Sequence, residues 1–238
     1  APDRGRVVFP DIGGVVSAVD FTVNGTSISV EPKRPVAQWG CCSLELSRDG
    51  LSLYIATEMN SEEGTTLRRI SLADGSIIQE IRTLPSPWHF VGISADATGS
   101  VIYTDEEELP GLGKRLMRVD VGTTVDATEL ILGNGAVGAK YYPAADNANS
   151  RFAYAYNLAG LDRCFEIRVA SSDGTHAAPL APARYGTRLT WLAGDILATE
   201  RKPPDGTGRC ADTGNVARVS PDGTSSIVLV RGYDPDAR

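Results

Sequence analysis

The feature that most constrains this chain is a repeat. Short apolar segments recur at Val7-Val8-Phe9-Pro10, Leu53-Tyr54-Ile55-Ala56-Thr57, Val101-Ile102-Tyr103-Thr104, Phe152-Ala153-Tyr154-Ala155-Tyr156 and Ile196-Leu197-Ala198-Thr199, with starts 46, 48, 51 and 44 residues apart. A second set follows at 18–23, 67–72, 116–121, 165–170 and 216–220, mostly alternating apolar with polar side chains as a half-buried strand requires. Each then meets a turn, at Asn24-Gly25, Asp74-Gly75, Val121-Gly122, Asp173-Gly174 and Asp222-Gly223. The four pairs with Asn-Gly or Asp-Gly predict tight hairpins, with Asn24-Gly25 read as a type I′ turn.

A third strand follows the turn, as at 76–81 and 226–230, and another precedes each apolar segment, at 41–47, 88–94, 140–145 and 187–192. Four antiparallel strands in about 48 residues is the signature of a β-propeller blade. The sequence therefore predicts an all-β chain, one propeller domain over 1–238 with five blades, and no helical pattern competes. The first blade lacks its inner strand, because only six residues precede Val7. Three solutions are open: a three-stranded blade, an irregular strand from 232–238, or a strand donated by another chain to the unpaired edge. In the second, residues 7–30 meet the C-terminal repeat and the ring closes.

Ala211-Asp212-Thr213-Gly214-Asn215 with Arg218-Val219-Ser220-Pro221-Asp222-Gly223 resembles an NHL repeat, and 53–75 is similar to the repeats of YWTD and YncE-type propellers. That resemblance implies a binding module or, in gluconolactonase-like relatives, a metal-dependent enzyme whose metal is held by carboxylate and amide ligands on one face. Those families usually have six or seven blades, so five copies depart from them.

The longer loops, 58–66, 105–114, 157–163 and 200–215, fall on one face, and functional groups concentrate on long loops held by a rigid scaffold. An oxygen-bearing residue closes the second strand in every copy: Asp11, Glu58, Asp105, Asn157 and Glu200. Repetition predicts a ring of them, which suits a hard cation such as calcium with its six to eight oxygen ligands, or an acid–base pair. The same residue types also cap turns and solvate loops. The run Asp105-Glu106-Glu107-Glu108 is either solvated or faces a cation.

His89 stands beside Trp88 at the start of a channel-lining strand, and Lys140 and Arg188 are placed comparably in later copies, which predicts a cationic and aromatic lining for an acidic or sugar ligand. The alternative is that these residues pack the blade junction and pair with the acids. Two histidines, no HExxH and no Gly-x-Ser-x-Gly argue against a multi-histidine zinc or copper site and against serine catalysis.

Cys164 opens a third strand and Cys210 lies in the loop leading to the next repeat's third strand, so neighbouring blades bring them together as a disulfide. Cys41 and Cys42 then form a vicinal bridge, exchange partners, or stay reduced. Asn24-Gly25-Thr26 is a glycosylation sequon as well as a turn.

A net charge of −7 opposes phosphate contacts and makes nucleic acid a poor partner, and no apolar run approaches the roughly 20 residues of a membrane span. Ala1, the cysteines, the sequon and four lysines among 23 basic residues point to a secreted or extracellular protein, periplasmic in a bacterium. Three functions compete. The one asking least of the residues is non-enzymatic binding of a carbohydrate, peptide or protein through the loop-rich face. The others are a metal-dependent hydrolase or lyase using Glu58, Asp105 or Glu200 as base, and a structural subunit of an extracellular assembly that self-associates by strand addition.

Overall fold

Alternating and continuous apolar segments become twenty strands in a computed structural model of the chain, which describes residues 3–10, 14–38, 42–58, 64–86, 88–96, 99–107, 115–121, 127–130, 139–146, 148, 150–157 and 164–231. The contacts divide the chain into two compact units, Ala1–Phe90 and Val91–Arg238. No helix among the described residues is long and apolar enough to cross a membrane.

In the first unit, β1 (Asp3–Pro10), β2 (Val15–Asn24), β3 (Ser27–Val30) and β4 (Arg34–Gln38) make one antiparallel sheet. β1 pairs with β2 from Asp3↔Val23 to Pro10↔Val16, and the far edge of β2 carries β3 at one end and β4 at the other. The outer edge of β1 carries no strand among the described residues. β5 (Cys42–Leu46), β6 (Ser52–Glu58), β7 (Thr65–Ser71) and β8 (Ile77–Leu84) form a four-stranded meander in that order. Val16, Ala18 and Val36 of the first sheet pack on Leu53, Ile55, Ile70 and Leu72 of the second.

β9 (Trp88–Ala95) starts at the end of the first unit and forms a second meander with β10 (Val101–Glu107), β11 (Arg115–Val119) and β12 (Thr128–Glu129). The remaining strands are β13 (Ala139–Asp146), β14 (Arg151–Asn157), β15 (Phe165–Ser171), β16 (Ala178–Pro179), β17 (Tyr185–Leu192), β18 (Asp195–Arg201), β19 (Asp212–Val219) and β20 (Ser226–Val230). The repeat predicts two separate four-stranded sheets here, whereas the structure joins them into one of eight. β16 covers only Arg168 and Val169 on the outer edge of β15, leaving Glu166 to pair with Tyr185 and the Ile167 N–H to bond the Arg184 carbonyl at 2.8 Å.

The hairpin turns differ from the expected type. Gly75, Gly174 and Gly223 have φ of 73°, 85° and 77°, while the preceding aspartates stay at negative φ. Each glycine N–H bonds back to a serine carbonyl, of Ser71, Ser171 and Ser220, and each aspartate Oδ1 accepts the N–H two residues on, at 2.9–3.1 Å. One left-handed residue suffices because the aspartate side chain supplies the second constraint. At Asn24 the loop is Gly25-Thr26, with Gly25 at φ 61° in the first central position, the type II′ arrangement.

These glycines also fix how closely neighbouring repeats approach. A Cβ on Gly75 would lie 2.1 Å from the Val36 carbonyl oxygen in β4, and one on Gly223 would lie 2.8 Å from the Pro182 oxygen beyond β16. Gly174 approaches Leu130 after β12 in the same way, at 3.2 Å. At each of these junctions an arginine earlier in the chain donates to a carbonyl of the approaching turn: Arg34 to Leu72 at 2.8 Å, Arg118 to Ser172 at 3.0 Å and Arg184 to Gly223 at 3.3 Å.

Candidate functional site

The register collects one end of the eight-stranded sheet. Asn157 stands opposite both Ala139 and Phe165, Glu166 opposite Tyr185, and Arg201 opposite Tyr185 and Asp212. Cys164 and Cys210, immediately before β15 and β19, are joined by a disulfide with Cα atoms 4.9 Å apart and both side chains buried. It ties the long connection 202–211 to the start of β15.

That connection is ordered by its own polar groups. Lys202 N–H bonds the Ala211 carbonyl at 2.9 Å, and Asp205 Oδ1 accepts the Thr207 hydroxyl and the Thr207 and Arg209 N–H groups. The Thr207 hydroxyl and these backbone bonds hold the Asp205 carboxyl below its ordinary value.

Aromatic rings and guanidinium groups meet at this end. Phe165 stands edge-on to Tyr141 at 5.3 Å, the Arg201 guanidinium lies 5.4 Å from the Phe165 ring centre, and Arg168 lies 4.0 Å over Tyr156. Arg201 donates to the Cys210 carbonyl at 3.3 Å and to Asp212 at 3.5 Å, and Arg168 Nε bonds Glu166 at 2.7 Å. Burial and the Glu166 charge push the Tyr185 hydroxyl up, and burial pushes Tyr154, on β14 opposite Arg168, to about 12. Tyr141, Phe165 and Tyr185 remain half-buried, and the Arg201 side chain is 13% exposed. Such rings, with oriented guanidinium–carboxylate pairs, form stacking and hydrogen-bonding surface.

Two of the sequence-predicted residues lie in this cluster. Glu200 Oε2 accepts from Asn215 Nδ2 at 3.2 Å, and Asn157 Oδ1 is buried without a hydrogen-bond partner among the described residues. The register divides the expected ring into two sets. Counted from the residue that closes the inner hairpin, Ser52 to Glu58 and Arg151 to Asn157 are six positions, whereas Ser100 to Asp105 and Asp195 to Glu200 are five. Positions one apart alternate faces of a strand. Asp11 lies outside the described residues, as do the side chains of Glu58 and Asp105. Among the described residues no three His, Cys, Asp or Glu side chains cluster as a metal site.

Trp88 and His89 begin β9 and are half-buried. Lys140 and Arg188 are not equivalent. Lys140 stands opposite Tyr156, whereas Arg188 sits at φ 52° in the bulge between Thr187 and Thr190, whose counterpart in β13 is Tyr142 at φ 50° between Tyr141 and Ala144. Bulges add a residue that identity alone does not mark, which displaced the expected alignment. Arg188 is exposed. Cys41 and the Cys42 side chain lie outside the described residues, and Asn24 is exposed at the end of β2.

Sequence reasoning missed Tyr141, Phe165, Glu166, Arg168 and Arg201. The available signal was Glu166-x-Arg168, a pair two apart on one strand and hence on one face.

No family model matches the chain, and no curated protein matches it. Among solved structures it is similar to puromycin hydrolase, with a TM-score of 0.58 and 17% identity over 93% of this chain and 36% of that one. It is similar to the β-propeller domain of the trilobed protease from Pyrococcus furiosus (TM-score 0.56, 12% identity, 95% of this chain and 71% of that one). TolB from Acinetobacter baumannii gives 0.55 at 12% identity, over 96% of this chain and 52% of that one. The chain thus spans about a third of the puromycin hydrolase and half of TolB. At these identities the likeness concerns architecture alone: the fold is that of a β-propeller.

Proposed function

We propose that this chain is an exported, non-enzymatic β-propeller module that binds a carbohydrate, peptide or protein at the loop-bearing end of the eight-stranded sheet. The observation that carries this reading is the partly buried cluster of Tyr141, Phe165 and Arg201. Ring faces stack on sugar pyranose faces or on peptide side chains, and the guanidinium orients hydroxyl or carboxylate oxygens. The Cys164–Cys210 disulfide supports an oxidising compartment. The same reading takes the five repeats as five blades, related to NHL, YWTD or YncE-type repeats. A glycan array and a linear peptide library probed with wild type, Tyr141→Ala and Arg201→Gln test it. Ligands bound by wild type and lost in both variants are expected. Binding indifferent to both substitutions overturns the placement.

A second reading, calcium bound on this face, is favoured by the buried Asn157 Oδ1 without a protein partner. Calcium accepts amide oxygens among its ligands, and the further donors of this reading are the repeat-related Asp11, Glu58, Asp105 and Glu200 of the sequence. Calorimetric titration with millimolar calcium tests it: heat that disappears in Asn157→Ala supports the site, and no heat removes it.

A further inference from the structure

We infer that Asn24, at the tip of the β2–β3 hairpin, is a site of spontaneous covalent modification: it cyclises onto the Gly25 amide, hydrolyses to isoaspartate or aspartate, and so loosens β3. The reaction is favoured by a following amide nitrogen that is unengaged, by the absence of a Cβ on that residue, and by room for the asparagine side chain to turn. All three meet here. Asn24, Gly25 and Thr26 are exposed, and a Cβ placed on Gly25 would have nothing within 4 Å. Among the described residues no hydrogen bond engages the Gly25 N–H or the Asn24 side-chain amide. Asn24↔Ser27 is the last pair of the ladder, so only that pair must open for Asn24 to reach the Gly25 nitrogen.

In the first step the Gly25 nitrogen bonds to Asn24 Cγ, the Cγ–Nδ2 bond breaks, and Nδ2 leaves as ammonia with the Gly25 amide proton. Water then opens the succinimide at either carbonyl. One product is aspartate; the other is isoaspartate, in which the main chain runs through the side-chain carbons. Isoaspartate lengthens the backbone at the turn, so the Gly25-Thr26 loop no longer closes on the Asn24↔Ser27 pair. β3 has little else to hold it, because its four residues are all exposed and it pairs with β2 alone among the described residues. The Asp-Gly hairpins could follow the same route with water as the leaving group, yet their geometry closes it. The N–H groups of Gly50, Gly75, Gly174 and Gly223 donate to the carbonyls of Ser47, Ser71, Ser171 and Ser220 at 2.8–2.9 Å. The hydroxyls of Ser47, Ser76, Thr175 and Ser220, with backbone N–H groups, hold the carboxyls of Asp49, Asp74, Asp173 and Asp222 below their ordinary value, Asp222 at about 2. An ionised carboxylate resists attack by an amide nitrogen.

The test incubates the full chain, made in a bacterial host that adds no glycan to Asn24, at mildly alkaline pH, both native and unfolded in guanidinium chloride. Peptide mapping by mass spectrometry locates the conversion of amide to acid, and fragmentation distinguishes isoaspartate from aspartate. Conversion at Asn24 in the native protein is expected to be slowed no more than about tenfold relative to the unfolded chain, the cost of opening one hydrogen-bonded pair. Asp49, Asp74, Asp173 and Asp222 are expected to isomerise only in the unfolded chain. Deuterium uptake at 27–30 is expected to quicken in the converted protein. Native protein that keeps Asn24 intact while the unfolded chain converts overturns the proposal. So does conversion confined to the other Asn-Gly pair of the sequence, Asn134-Gly135, which lies outside the described residues. Isomerisation of the four aspartates at the same native rate overturns the role given to the unengaged Gly25 N–H, and uptake at 27–30 unchanged by conversion overturns the loosening of β3.

Discussion

Gly223 and Gly25 have the same backbone sign and different surroundings, which separates two reasons for being glycine. Gly25 has nothing within 4 Å of a placed Cβ, so Gly25→Ala is expected to cost only the left-handed penalty, about 1 kcal/mol. Gly223 adds a collision with the Pro182 oxygen, so Gly223→Ala is expected to cost about 2–4 kcal/mol, measured by urea denaturation. The Asp-Gly pairs were visible in the sequence; their second duty was not, because it depends on a chain segment some 40 residues away. A second residue-scale prediction concerns pH. The hydrogen bond from Arg6, aided by the charges of Arg6 and Arg34 and opposed by burial, holds the Asp20 carboxyl below its ordinary value. A group lowered on folding stabilises above its unfolded value of about 3.9, and the contribution is lost as pH falls through the lower folded value. Asp20→Asn is therefore expected to flatten the acid limb of a thermal-stability profile below about pH 4, whereas an unchanged limb would assign acid sensitivity elsewhere.

At the scale of elements, the inner and middle strands were legible because they are apolar and bounded by turn residues: β6, β10, β14 and β18 begin within one residue of the expected segments. The outer strands were less so. β12 and β16 are two residues long, too short for a period to register; the bulge at Arg188 carries neither glycine nor another turn residue, and the one at Tyr142 is marked only by Pro143. That is why the aromatic cluster at Phe165 escaped sequence reading while the two cysteines beside it did not. The disulfide closes a separation of 46 residues and holds the entrance to β19 against β15. Cys164→Ala/Cys210→Ala is expected to lower stability by about 2–4 kcal/mol in denaturant melts. Proteolysis is expected to begin within 202–211. Loss of stability without new cleavage there would mean that this connection is held by Asp205 and its neighbours alone.

For the molecule as a whole, similar sheets repeated along one chain leave the scaffold uniform and put its differences into loops and strand ends, which is where the binding reading locates function. The repeat established the architecture in sequence, yet it was also the source of error at the site, because equal spacing was read as equal register. Glu58 and Asn157 fall one position away from Asp105 and Glu200 once hairpin closure is counted. The most direct measurement of the binding reading is amide hydrogen exchange on the full chain with and without the tightest ligand from the glycan and peptide arrays. Protection is expected at 139–142, 156–168, 185–188 and 200–215, with the exposed outer strands β3 and β20 unchanged. Protection confined to β3, β20 or the β1 edge, with the end of the eight-stranded sheet unaffected, would contradict it.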